Sequence, residues 1–131
     1  MKRVLVNGAF DILHTGHIDL INYAKSLGSY LIVALDTDRR IRENKGDNRP
    51  INNSIIRFTI IKNLKAVDEV VLFDNDNELI SIIKEVDIRV IGSDWKDKEV
   101  VGRQYCKQLV FYDRVKDEST TKTIENIINR R

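Results

Sequence analysis

Short apolar runs rich in β-branched residues alternate along this chain with stretches whose apolar residues recur at helical spacing. The runs cover residues 3–7, 30–35, 67–73, 88–91 and 109–112. A continuous apolar run without polar alternation is what a strand buried on both faces of a parallel sheet requires. Between the first two runs, Ile18, Leu20, Ile21, Ala24 and Leu27 form a helical stripe that stops at Gly28, read as a C′ glycine. Ile56, Ile60, Ile61 and Leu64 line a second stripe, which Asn52 or Asn53 can cap. Leu79, Ile80, Ile82 and Ile83 make a third, and Ile124, Ile127 and Ile128 a last one. Residues 39–53 interrupt the alternation. They are basic and polar, hold the only proline, and read as a surface loop. Strand and helix in this order predict right-handed crossovers and an α/β domain of Rossmann-like, three-layer type. Its five-stranded parallel sheet would bind ligands at the carboxyl ends of the strands.

Composition narrows the class. A chain of 131 residues suits one domain, and 42% apolar with 32% charged residues is the balance of a soluble globular protein. No apolar run approaches the roughly 20 residues that span a membrane, and the opening residues lack a signal-peptide core. The single Cys106 forms no internal disulfide. Together these predict a cytoplasmic protein without a membrane partner. The 22 basic and 20 acidic residues leave a net charge of +2. That argues against nucleic acid as a partner, while leaving room for a local basic site that holds a nucleotide.

The densest chemistry lies in Gly8-Ala9-Phe10-Asp11-Ile12-Leu13-His14-Thr15-Gly16-His17, which carries both histidines of the chain. An apolar run, a glycine turn and a helix start form a phosphate site in α/β proteins, because free N–H groups and the positive end of the helix dipole face the ligand. Two imidazoles there can neutralise charge that develops on a phosphoryl group. Gly16, between them, is read as letting the backbone approach a ligand closely.

This stretch resembles the signature of the HxGH nucleotidylyltransferases. That superfamily includes glycerol-3-phosphate cytidylyltransferases and the adenylyltransferases that form ADP-heptose. The resemblance covers essentially the whole chain and implies a reaction. An acceptor phosphate attacks the α-phosphorus of a nucleoside triphosphate, pyrophosphate leaves, and His14 and His17 stabilise the transition state without a covalent intermediate. It also implies site residues. Gly8, Ala9, Phe10, Asp11 and Gly16 would contact the nucleotide, and Lys45 in a Lys-Gly-x-x-Arg-Pro pattern would reach the triphosphate. Arg57 would face the site from the second helical stripe. Gly92, Asp94 and Trp95, in a Gly-x-Asp-Trp pattern, would lie beside the nucleotide at the end of a strand. Arg114 with Ser119, Thr120 and Thr121 would hold the outer phosphates. Asp117-Glu118 depart from the Gly-Ile pair of the cytidylyltransferases.

These features lead to an expectation of CMP transfer from CTP to glycerol 3-phosphate or a similar polyol phosphate, favoured by Arg114 and Trp95. The alternative is ADP-heptose formation from ATP and heptose 1-phosphate, favoured by Ala9, the Lys45 pattern and Glu99-Val100-Val101-Gly102. An alternative of another class is a nucleotide-binding module without catalysis. Mg²⁺ would arrive on the triphosphate with no dedicated protein metal site, and the resemblance implies a homodimer.

Overall fold

Five strands pair in parallel in the order β3-β2-β1-β4-β5: β1 (Arg3–Gly8), β2 (Tyr30–Asp36), β3 (Glu69–Phe73), β4 (Ile88–Gly92) and β5 (Leu109–Tyr112). The structure, a computed structural model, describes residues 1–113 and 120–129. Its helices are α1 (Thr15–Ser26), α2 (Asp38–Lys45), α3 (Ser54–Lys62), α4 (Asp76–Ile83) and α5 (Thr120–Asn129). The chain leaves β1 towards β2 and β3, then returns to β4 on the other side. This reversal opens a crevice between the carboxyl ends of β1 and β4, where ligands of such sheets bind.

The pleat sorts the strand residues into two cores. Val4 and Val6, with Val33 and Val90 from the neighbouring strands, pack against Ile21 and Ala24 of α1 and Ile61 of α3. Leu5, Ile32 and Ala34 point the other way, onto Leu79 and Ile83 of α4. Helices on both faces make three layers, as the apolar runs predict. No helix among the described residues is long and apolar enough to cross a membrane.

Three local expectations are corrected. Residues 38–45 are helical, not loop: Thr37 Oγ1 caps α2 by accepting from the Arg40 N–H at 3.3 Å. The helix lacks a sequence stripe because Ile41 is its only buried residue. It is anchored by ion pairs, Arg39 to Glu43 and Asp74, and Arg40 to Asp36 and Asp76. In α3 the buried face carries Arg57 and Ile61, with Phe58 and Leu64 partly buried, while Ile55, Ile56 and Ile60 face outwards. Gly28 does follow the C-cap Leu27 as the C′ residue, but its conformation is not left-handed. A side chain is excluded there because its Cβ would lie 2.6 Å from the Lys2 carbonyl oxygen. The Arg49–Pro50 peptide is cis.

Candidate functional site

The turn between β1 and α1 is held under strain. Phe10 and Ile12 adopt φ of 47° and 31°, a region that β-branched and bulky residues avoid. The turn places the Phe10 ring in the α1-side core and edge-on to His17, with centroids 5.2 Å apart. Two buried side chains sustain it. Asp11 accepts the N–H groups of Ile51 at 2.7 Å and Asn52 at 2.8 Å, and also that of Ile12. Arg57, fully buried, donates to the carbonyls of Ala9 (2.9 Å) and Asn52 (3.0 Å) and pairs with Asp38 at 2.7 Å. The glycine turn, the start of α2 and the segment before α3 are thus fastened to one another.

The two histidines close the first turn of α1 reciprocally. His14 is the N-cap residue, and its Nδ1 accepts from the Gly16 N–H at 3.1 Å. The His14 N–H donates to Nδ1 of His17 at 3.3 Å. With both Nδ1 atoms acting as acceptors, a neutral ring carries its proton on Nε2, and Nε2 of His14 is itself buried. The rings stack with centroids 3.9 Å apart. The His14 ring also leaves no room for a side chain at Gly16. A Cβ there would sit 2.9 Å from Cε1 and 3.0 Å from Nδ1 of His14.

A cleft of about 1150 Å³ opens over the switch point. Of the residues implied by resemblance, Gly8, Ala9, Phe10, Asp11, Gly16 and the histidines line it. So do Lys45 from the end of α2, and Gly92, Asp94 and Trp95 after β4. Arg57 does not line it. Its guanidinium is used by protein acceptors, so it positions the turn instead of facing the cleft. Asp11 reaches the cleft wall, but both its carboxylate oxygens hold backbone N–H groups. Thr120 and Thr121 open α5, whereas Arg114 and Ser119 lie outside the described residues.

Lys45, exposed at the cleft rim, has its pKa lowered by desolvation and by the charge of Arg49, with Asp36 and Asp11 acting against the shift. Gly92 has φ −65° and ψ 146°, which any residue can adopt, and nothing lies within 4 Å of a Cβ built there. The protein itself therefore does not demand a glycine at this wall. Trp95 is half exposed in a short 3-10 turn (Ser93–Trp95), with Lys98 Nζ 5.5 Å from its ring centroid. Asn7, Asp36, Arg89 and Tyr112 also line the cleft, although sequence reasoning singled out none of them. Arg89 alone left a signal there, as a charge inside an apolar strand. Burial raises the pKa of Asp36, with Arg40 and Lys45 opposing the shift.

Residues 5–127 match the family described as cytidylyltransferase-like. Two curated relatives, each a bifunctional protein HldE, come from Nitratiruptor sp. and Helicobacter hepaticus. Both are 45% identical over 128 residues that make up 96% of this chain. The chain spans only 28% and 26% of their respective lengths. Among solved structures, the lipopolysaccharide core biosynthesis protein from Thermoplasma volcanium superimposes with a TM-score of 0.70 at 30% identity, covering 90% of this chain and 99% of its own. A protein from Archaeoglobus fulgidus shares the fold with a TM-score of 0.68 at 21% identity, over 91% of this chain and 94% of its own. The HldE relatives overturn the leading expectation, CMP transfer from CTP to glycerol 3-phosphate, in favour of its adenylyltransferase alternative.

Proposed function

This chain belongs to the cytidylyltransferase-like family of nucleotidyltransferases, and from that premise we propose that it transfers AMP from MgATP to a heptose 1-phosphate. The products are ADP-heptose and pyrophosphate. The choice of ATP and a heptose rests on the HldE relatives, whose adenylyltransferase domain makes ADP-heptose. The observation that carries the reaction type is the pair of imidazoles locked into the first turn of α1 at the wall of the cleft.

The acceptor phosphate is anionic at neutral pH and needs no general base. One of its oxygens forms a bond to the α-phosphorus as the bond from that phosphorus to the β-phosphate bridging oxygen breaks, and pyrophosphate leaves. Charge grows on the α-phosphoryl oxygens in the transition state. His14, His17 and the amino-terminal end of α1 are built to meet it. Lys45 holds the outer phosphates, with Arg114, Ser119, Thr120 and Thr121 completing that grip. Gly92, Asp94 and Trp95 form the nucleotide wall. The reading includes a homodimer, supported by the exposed Ile51, Ile55, Ile56 and Ile60 around α3.

Pyrophosphate release tests this directly, with ATP and CTP each offered alongside heptose 1-phosphate and glycerol 3-phosphate in the presence of Mg²⁺. Turnover is expected with ATP and the heptose; turnover confined to CTP would refute the base assignment. His17→Ala should lower kcat by about 100-fold or more, the scale of losing one transition-state donor. Activity within about threefold of the parent would sink the mechanism.

A further inference from the structure

Most basic side chains of the cleft are answered by carboxylates: Arg39 by Asp74 and Glu43, Arg40 by Asp36 and Asp76, and Arg49 by Asp11. Among the described residues, Lys45 and Arg89 line the same cleft with no carboxylate in ion-pair range. The reaction above occupies Lys45. It leaves Arg89 without a task.

Arg89 sits in the middle of an otherwise apolar β4 and is 3% exposed. Its Nε donates to Asn7 Oδ1 at 3.1 Å, and its Nη1 to the Val101 carbonyl at 2.6 Å. Nη2 has no acceptor among the described residues, yet it is not one of the sealed, unpartnered atoms of the interior. It is the edge of the guanidinium that remains open towards the cleft. Fastening the Val101 carbonyl needs only a neutral donor, whereas a buried full charge is costly until an anion meets it. Burial accordingly lowers the pKa of Arg89.

Position gives this edge a role. Arg89 and Asn7 belong to the α4 side of the sheet, while His14 and His17 approach from α1 on the other side. In-line phosphoryl chemistry needs the attacking and leaving oxygens on opposite sides of the reacting phosphorus. A cation without a counter-ion, across the crevice from the imidazoles, is placed to hold a second anion on the far side of a phosphorus that they contact.

We propose that Arg89, oriented by Asn7, is the acceptor-side anion site, its Nη2 edge holding the acceptor phosphate for attack on the α-phosphorus. This rests on the reading of the reaction given above. Arg89→Met should raise KM for heptose 1-phosphate by at least about tenfold, the worth of a charge-assisted hydrogen bond. KM for ATP should stay within about twofold, and Arg89→Lys should recover part of the loss. Heptose 1-phosphate should raise the Tm of the parent but not of Arg89→Met, while ATP raises both. A merely structural tether of Val101 would move both KM values together, and that result, or an unchanged sugar KM, overturns the proposal. Should the parent turn over neither sugar nor glycerol phosphate, the reading of the reaction fails, and the anion site is judged alone. Inorganic phosphate, titrated onto protein saturated with a non-hydrolysable ATP analogue, should then stabilise the parent and not Arg89→Met. Equal stabilisation of both would end the idea.

Discussion

Gly16 and Gly92 both lie in the cleft, but the protein crowds a side chain only at Gly16, and substitution separates the two positions. At Gly16 the obstacle is the His14 ring, less than 3 Å from a new Cβ at its nearest atom. Gly16→Ala should push that ring aside and lose the cap it makes. We expect about 1 kcal/mol of lost stability, the usual worth of an N-cap, together with lower turnover. At Gly92 nothing in the protein is near and the backbone suits alanine. Gly92→Ala should leave stability unchanged or raise it by about 0.5 kcal/mol, through reduced freedom of the unfolded chain. Turnover should nevertheless fall, because the methyl group occupies ligand space. Urea denaturation alongside steady-state kinetics reads both. If Gly92→Ala keeps full activity, the ligand does not use that wall. The sequence pointed to both glycines, but for Gly16 it showed nothing of the His14 ring that crowds the position. It gave no sign of the Phe10 and Ile12 strain, because φ is a property of the folded turn.

Among the elements, legibility followed burial. Runs such as Tyr30–Asp36 were readable as strands because both faces are covered, which leaves little place for polar residues. The short α2 was not, since one buried isoleucine, a threonine cap and ion pairs hold it. In α3 only Ile61 of the stripe's isoleucines is buried, and a second inner position went unread. The buried position belongs to Arg57, whose charge disguised it as a surface or ligand-facing residue. Arg57 and Asp11 are connectors between elements, so their effects should register in stability. Arg57→Met strands the Ala9 and Asn52 carbonyls and leaves Asp38 without its partner. Breaking a buried, hydrogen-bonded charge pair should cost about 3 kcal/mol, measurable by chemical denaturation. A loss below about 1 kcal/mol would mean that the turn is held elsewhere.

For the molecule as a whole, strand order is what no run of residues displays. The crevice exists because β1 is central and β4 lies on the opposite side of it from β2. Arg89 becomes intelligible only there, since the crevice sets its open edge across from the histidines. The outer surface carries the isoleucines that α3 turns away from the core, with Ile55 74% exposed. If these seat a second copy, Ile55→Glu together with Ile60→Glu should shift a dimer to monomer in light scattering while leaving the circular dichroism spectrum intact; an unchanged mass would place any self-association elsewhere. The histidine pair has a further consequence. The rings proposed to meet the substrate also finish the first turn of α1, and α1 packs on the centre of the sheet. A lineage drifting away from this chemistry could not discard either histidine silently, because the same change would loosen the helix beneath it. Reaction and architecture are inherited in this stretch as one trait, and a descendant retired from catalysis would carry the scar at the beginning of its first helix.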